Sequence, residues 1–136
     1  MKKAIFLDRD GTMNIDKSYT HKIEDLKFEN GALEGLKLLQ DMGYLLIILT
    51  NQSGIARGIY TEEQYKIFMK NMFRELEKFG IKISKDYFCP HLPNEGCICR
   101  KPETGLLDKA VEELKLDKSL SLIIGDKTID IELGKR

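Results

Sequence analysis

The chain contains no apolar run approaching the roughly 20 residues that a membrane-spanning helix needs. Its start, Met1-Lys2-Lys3, is followed by only four apolar residues before Asp8, too few for a signal peptide. Both absences lead to the expectation of a cytoplasmic protein. No sign of charge is in excess, since 22 basic residues face 22 acidic ones. That balance gives no general electrostatic case for nucleic acid or an anionic membrane, so any anion site must be local. Cysteine is scarce: Cys89, Cys97 and Cys99 are an odd number confined to one short window, which argues against a secreted disulfide scaffold and for a metal site. Repeats and low-complexity tracts are absent. What remains is a chain of 136 residues, enough for one domain that buries roughly two-thirds of its unfolded surface without a disulfide framework.

What is present is an alternation of short apolar runs with helical periods. Ala4 to Leu7 is apolar on both sides, as expected for a parallel strand covered on two faces. The polar segment Thr12 to Glu29 reads as a loop arching over the strand ends, with Asp16, Ser18, Tyr19 and His21 in it. Asn30 is expected to cap a helix running to about Met42, with Leu33, Leu36 and Leu39 on one stripe and Gly43 as its left-handed terminator. Tyr44 to Leu49 follows as a second strand, ending in the polar cluster Thr50-Asn51-Gln52-Ser53-Gly54. Thr61-Glu62-Glu63-Gln64 is a capping box opening a helix whose Tyr65, Phe68, Met69, Met72, Leu76 and Phe79 are expected in the core. Ile81 to Cys89 contains a short strand. A helix from Glu103 or Thr104 to about Lys115 and a strand from Leu120 to Ile124 complete the pattern. Strands alternating with helices at this spacing predict an α/β fold: a three-layer, doubly wound parallel sheet with right-handed crossovers.

In such a sheet, ligands bind beyond the carboxyl ends of the strands. Asp8 and Asp10 stand at the exit of the first strand and point the same way if the extended path continues. A carboxylate pair can hold Mg²⁺, supply a nucleophile and supply a general acid/base, the roles phosphoryl transfer needs. Asp-x-Asp-Gly also makes a good turn. Thr50 and Asp126 lie at other expected strand ends, adding a hydroxyl and a further acid, and the segment Cys99-Arg100-Lys101-Pro102 adds a cation.

Every cysteine and one of the two histidines fall between Cys89 and Cys99. Cys89, His91, Cys97 and Cys99 offer three thiolates and an imidazole, a set suited to tetrahedral Zn²⁺. With all four positions filled by protein no place remains for an activated water, so the expected role is structural, stapling the loop that delivers Arg100 and Lys101. The alternative is that three reduced cysteines merely cluster. His21 is expected as a solvated loop residue.

Asp8-Arg9-Asp10-Gly11-Thr12, Thr50-Asn51, Lys101 and Gly125-Asp126-Lys127-Thr128-Ile129-Asp130 together resemble the four motifs of the haloacid dehalogenase superfamily of Mg²⁺-dependent phosphatases. The resemblance implies that Asp8 attacks phosphorus to give an aspartyl-phosphate, while Asp10 protonates the leaving oxygen and later activates water. It implies Mg²⁺ bound by Asp8, Asp126 and the Asp10 backbone carbonyl, with Thr50 and Lys101 around the transferring oxygens.

The zinc loop narrows the resemblance to the small, capless branch, subfamily IIIA, that contains D,D-heptose 1,7-bisphosphate phosphatase and histidinol-phosphate phosphatase. The segments Asn51-Gln52-Ser53-Gly54-Ile55-Ala56-Arg57-Gly58 and Asp16-Lys17-Ser18-Tyr19-Thr20-His21 look like the heptose enzyme. The short stretch from His91 to Cys97 is similar to the histidinol-phosphate enzyme. Asp16, Tyr19, Asn51, Gln52, Ser53, Arg57, Arg100 and Lys127 are the implied substrate contacts, Lys127 having a surface lysine as its alternative. The favoured substrate is the sugar bisphosphate. A receiver-like phospho-acceptor and a zinc-stapled binding module without turnover are the readings from other classes. The partners expected are a small phosphate ester, no nucleic acid and no membrane, with the chain a monomer. Family members continue beyond Asp130 with another strand, whereas here only Ile131 to Arg136 follow. The expectation is one domain over 1–136 lacking that strand, with an uncovered edge at Leu120 to Ile124.

Overall fold

The computed structural model describes residues 2–125 together with Leu133 and Lys135. Asp126 and Lys127, two of the expected site residues, lie outside the described residues. Four parallel strands, β1 (Ala4–Leu7), β2 (Leu45–Asn51), β3 (Ile83–Cys89) and β4 (Leu122–Ile124), form one sheet in the order β3-β2-β1-β4. They alternate with helices α1 (Ala32–Asp41), α2 (Glu62–Glu77) and α3 (Gly105–Leu114).

The period of two along β1 and β2 builds two cores. Ile5, Leu7, Leu46 and Ile48 face Leu36 of α1 and Tyr65, Phe68, Met69, Met72 and Leu76 of α2. Ala4, Phe6, Ile47 and Leu49 turn the other way, onto Leu106, Leu107 and Ala110 of α3 and onto Leu116 and Leu133. Both faces are thus covered, which explains the unbroken apolar runs; each such side chain contributes about 1.5–3 kcal/mol on burial. The expected three-layer arrangement is the one found. Among the described residues no helix is long and apolar enough to cross a membrane.

β3 is bonded to both helical layers. Tyr65 of α2 donates to Asp86 Oδ2 at 2.8 Å on one face. On the other, Tyr87 donates to Glu113 Oε2 of α3 at 2.6 Å, and Lys85 reaches the same oxygen at 3.1 Å. The capping box of α2 is formed, Thr61 Oγ1 accepting from Gln64 N and Gln64 Oε1 from Thr61 N.

Element ends differ from expectation where hydrogen bonding outside the apolar pattern decides them. α1 is capped by Gly31, at φ 82°, and not by Asn30; the Ala32 N–H is satisfied by the Glu29 carbonyl at 3.0 Å, so no side-chain cap is required. Gly43, at φ 94°, does follow the end of that helix. β2 runs two residues further than Leu49, because Thr50 and Asn51 pair with Phe88 and Cys89. Phe79 is 53% exposed and outside the core. α2 stops at Glu77, and the turn that follows carries Phe79 off the apolar stripe. β4 begins at Leu122, since Asp117 caps a 3₁₀ turn over Lys118–Leu120. Among the described residues β4 is an outer strand, with Leu122 and Ile124 exposed.

Candidate active site

β1 ends at Leu7, and the chain then bends instead of staying extended: the Arg9 carbonyl accepts from the backbone N–H groups of Thr12, Met13 and Asn14. The loop after it returns along itself, with Ile15 N–H on the Lys27 carbonyl at 2.7 Å and Glu29 N–H on that of Met13 at 2.9 Å. This arch, the end of β2 and the segment after β3 enclose a cavity of about 390 Å³. Asp8, Asp10, Asp16, Ser18, Tyr19, Asn51, Gln52, Ser53, Arg57, Tyr60, Arg100 and Lys101 line it. Ten of the expected site residues are therefore brought together: the two acids of β1's exit, Lys101, and all the implied substrate contacts except Lys127. Thr50 is not among the residues lining the cavity: it is buried, its Oγ1 accepting from Gln52 Nε2 at 2.9 Å.

The two aspartates have separate partners. Asp8 receives the Lys101 ammonium at 3.1 Å, both side chains being buried. Lys101 is delivered by a backbone clamp from β2: its N–H donates to Asn51 Oδ1 at 3.0 Å and its carbonyl accepts from Asn51 Nδ2 at 3.3 Å. Asp10 instead takes Arg9 Nε on Oδ1 and Arg9 Nη2 on Oδ2, each at 3.0 Å. Asn14 Nδ2 adds a bond to Oδ1 at 3.0 Å and Gln52 Nε2 one to Oδ2 at 3.2 Å.

Around the mouth, the Arg57 guanidinium lies 5.7 Å from the Tyr19 ring centroid and its Nε donates to Ser53 Oγ at 3.3 Å. Ser18 and Tyr19 hold left-handed backbone angles, φ 61° and 56°. His21 is not a solvated loop residue: it is half-buried and stacks on Tyr60 with centroids 4.8 Å apart and 13° between the planes. The arch folds back over a residue 39 positions away, a contact that local sequence does not encode. Tyr60 donates to Gln52 Oε1, and burial, only partly offset by the Arg9 charge, pushes its hydroxyl up to about 12. Arg9, Asn14 and Tyr60 were not singled out by the sequence; the one available signal was that Arg9 stands between two aspartates.

Hard oxygen donors from Asp8 and Asp10 at the wall of a polar cavity fit a hard divalent cation such as Mg²⁺. The remaining expected ligand, Asp126, lies outside the described residues.

A second cluster adjoins this cavity. One donor atom each from Cys89, His91, Cys97 and Cys99 lie within 4.8 Å of one another. His91 Nδ1 is 3.3 Å from Cys89 Sγ and 3.2 Å from Cys99 Sγ, and Cys97 Sγ is 3.6 Å from Cys89 Sγ. Tetrahedral zinc with bonds of ~2.3 Å to sulfur sets donor spacings of roughly 3.7 Å, so the set fits; the Cys89–Cys99 pair, at 2.6 Å, would be spread by the ion. Burial and the hydrogen bond with Cys99 raise the Cys89 thiol above its ordinary range. Cys97 goes the other way, to about 7: burial opposes ionisation, but hydrogen bonds from the Arg100 backbone and from Cys89 and Cys99 outweigh it. Arg100 Nη1 donates to the His91 carbonyl at 3.3 Å, tying the cluster to the cavity rim.

The sequence profile of the polynucleotide kinase 3 phosphatase family matches residues 3–130. The D-glycero-alpha-D-manno-heptose-1,7-bisphosphate 7-phosphatase of Campylobacter jejuni is 51% identical over 132 residues, covering 97% of this chain and 76% of the relative. The D-glycero-beta-D-manno-heptose-1,7-bisphosphate 7-phosphatase of Haemophilus influenzae is 44% identical over 140 residues, covering 98% and 76%. Among solved structures, the D,D-heptose 1,7-bisphosphate phosphatase of B. bronchiseptica complexed with magnesium and phosphate has a TM-score of 0.89 at 30% identity, covering 96% of this chain and 74% of that one. With its parallel sheet, its paired acids and these relatives, the chain belongs to the heptose-1,7-bisphosphate 7-phosphatases of the haloacid dehalogenase superfamily, within the polynucleotide kinase 3 phosphatase family.

Proposed function

We propose that the cavity removes the 7-phosphate of D-glycero-D-manno-heptose 1,7-bisphosphate in the cytoplasm. An Asp8 oxygen attacks phosphorus, the ester P–O bond breaks, and the departing C7 alkoxide takes a proton from Asp10. Water then attacks the aspartyl-phosphate, gives its proton to Asp10, and inorganic phosphate leaves Asp8. Bound Mg²⁺ supplies charge neutralisation on the transferring oxygens. Lys101 neutralises charge from the protein's side, and the Thr50 hydroxyl, Arg57, Arg100 and Lys127 are assigned to phosphate and sugar oxygens. Asn51 contributes by holding Lys101, both ends of its amide being engaged by that backbone.

The observation that carries this reading is that two carboxylates share one cavity with different partners, Asp8 on a lysine and Asp10 on an arginine and two amides. A receiver-like phospho-acceptor has no use for the second arrangement. Zinc at Cys89, His91, Cys97 and Cys99 is assigned a structural role.

Steady-state rates on the α and β anomers of the heptose bisphosphate and on histidinol phosphate test the proposal. We expect kcat/KM on one heptose anomer to exceed that on histidinol phosphate by at least about tenfold, and Asp10→Asn to lower kcat by about 10²–10⁴-fold. Equal, poor rates on all three esters would refute the substrate. Unchanged phosphate release by Asp10→Asn would refute the mechanism.

A further inference from the structure

Arg9 is among the largest fully buried side chains of the described residues and is fully buried as a charged group, and the mechanism above does not use it. A buried guanidinium is costly unless every donor is engaged. Here Nε and Nη2 form a fork on the Asp10 carboxylate, Nη2 also donates to the Thr20 carbonyl at 2.6 Å, and Nη1 meets Met69 Sδ at 3.7 Å. Its planar face lies 4.7 Å from the Phe68 centroid and 5.8 Å from that of Tyr65, both on α2. Arg9 therefore couples Asp10 to a helix packed in the core, and it does not line the cavity.

On the opposite side Asp10 is held by Gln52, whose amide has a fixed orientation. The Tyr60 hydroxyl donates to Oε1, so Nε2 faces Asp10 Oδ2 and Thr50 Oγ1. Tyr60 is itself held by the His21 stack. Asp10 is thus gripped from two sides, by the Arg9 fork from the core and by the Gln52 amide from the end of β2.

We infer that Arg9 and the Tyr60–Gln52 pair are positioning residues for Asp10, fixing the orientation of the carboxylate that exchanges a proton with the leaving group. The inference rests on the proposed phosphatase mechanism and deepens it. Asp10 is needed when the departing oxygen must be protonated. An alkoxide requires that proton as the ester bond breaks, whereas p-nitrophenolate leaves as the anion without it. Loss of positioning therefore slows the first step for an alkyl ester and spares it for an aryl ester, while a general loss of structure slows both alike.

Single-turnover phosphoryl transfer to excess Mg²⁺-loaded enzyme, from the heptose bisphosphate and from p-nitrophenyl phosphate, separates the two. For Arg9→Met we expect about a 100-fold loss on the sugar ester, the scale of a mispositioned general acid, with the half-saturating enzyme concentration nearly unchanged and under tenfold loss on the aryl ester. Tyr60→Phe, which keeps the ring and its His21 stack, is expected to show the same preference at about 3–10-fold, one neutral hydrogen bond. If Arg9→Met does not fold, Tyr60→Phe decides alone. Equal losses on the two esters, or no loss on the sugar ester, would overturn the inference and leave the proposed function standing. Transfer from neither ester by the unmodified enzyme would overturn both.

Discussion

The site depends on one glycine that makes no bond of its own to it. A Cβ at residue 54 would run into Tyr60, with Cε1 inside contact distance and Cζ at 2.9 Å, so the ring lies where a side chain would otherwise be. Because Tyr60 is 3% exposed and bonded to Gln52, it has little room to retreat. Gly54→Ala is therefore expected to cost about 1–3 kcal/mol of stability by overpacking and to lower kcat as Tyr60→Phe does, since the ring must leave Gln52. Urea unfolding and steady-state kinetics on the same variant check this; a fully stable, fully active Gly54→Ala would refute it. The carboxylates, the lysine and the thiol cluster were legible because their chemistry shows in residue type and spacing. The Arg9–Asp10 fork and the Tyr60–Gln52 bond were not, because each depends on a loop path: the bend after Leu7, and the return of the arch that brings His21 onto Tyr60.

The elements themselves were legible where an apolar period ran through them. Ile5, Leu7, Leu46 and Ile48 take one face and Ala4, Phe6, Ile47 and Leu49 the other because a strand alternates, and nothing further was needed to expect two helical layers. Ends were less so: Gly31 replaced Asn30, and Phe79 left the stripe, because terminal N–H groups found partners that no period encodes. The bonds fastening β3 to the helices have a pH signature. Burial, then the charge and hydrogen bond of Asp86, raise Tyr65 well above its ordinary 10.0; burial and Glu113 raise Tyr87 likewise, and Tyr60 reaches about 12. A group whose folded value is raised contributes stability that is full below its unfolded value and is lost as pH climbs through the folded one. Stability should hold up to about pH 10, the unfolded tyrosine value, and decline above it, Tyr60's share being gone near pH 12. Unfolding free energies measured from pH 8 to 11.5 check the trend, and Tyr65→Phe should flatten it; a slope unaffected by that substitution would contradict the assignment of Tyr65.

For the molecule as a whole, the C-terminal edge of the sheet carries both sites, and one loop joins them. β1 ends before Asp8, β2 in Thr50 and Asn51, and β3 in Cys89, which is also the first residue of the thiol cluster. From Cys89 the chain passes through His91, Cys97 and Cys99 and returns to the cavity as Arg100 and Lys101, where Asn51 clamps it. The loop is thus fixed at its two ends by the sheet, and a zinc ion held by the cluster would close its middle. The first apolar core has no residue of the cluster and the second takes only Cys89 as a buried member, with Cys97 and Cys99 against its side, so zinc removal should loosen this loop and leave the fold, unlike a small finger whose folding free energy is the metal's. The Lys101 backbone would then keep its Asn51 clamp but lose the support of the closed loop before it. Displacing zinc with a chromogenic chelator should release one ion per chain, lower Tm by about 3–4 °C for each kcal/mol lost, and reduce kcat, with far-ultraviolet circular dichroism retained. Mg²⁺ restored in excess should not recover the rate, while stoichiometric Zn²⁺ should. Full recovery on Mg²⁺ alone would show that the loop holds Lys101 without its staple, and Cys97→Ser would then be as active as the parent chain.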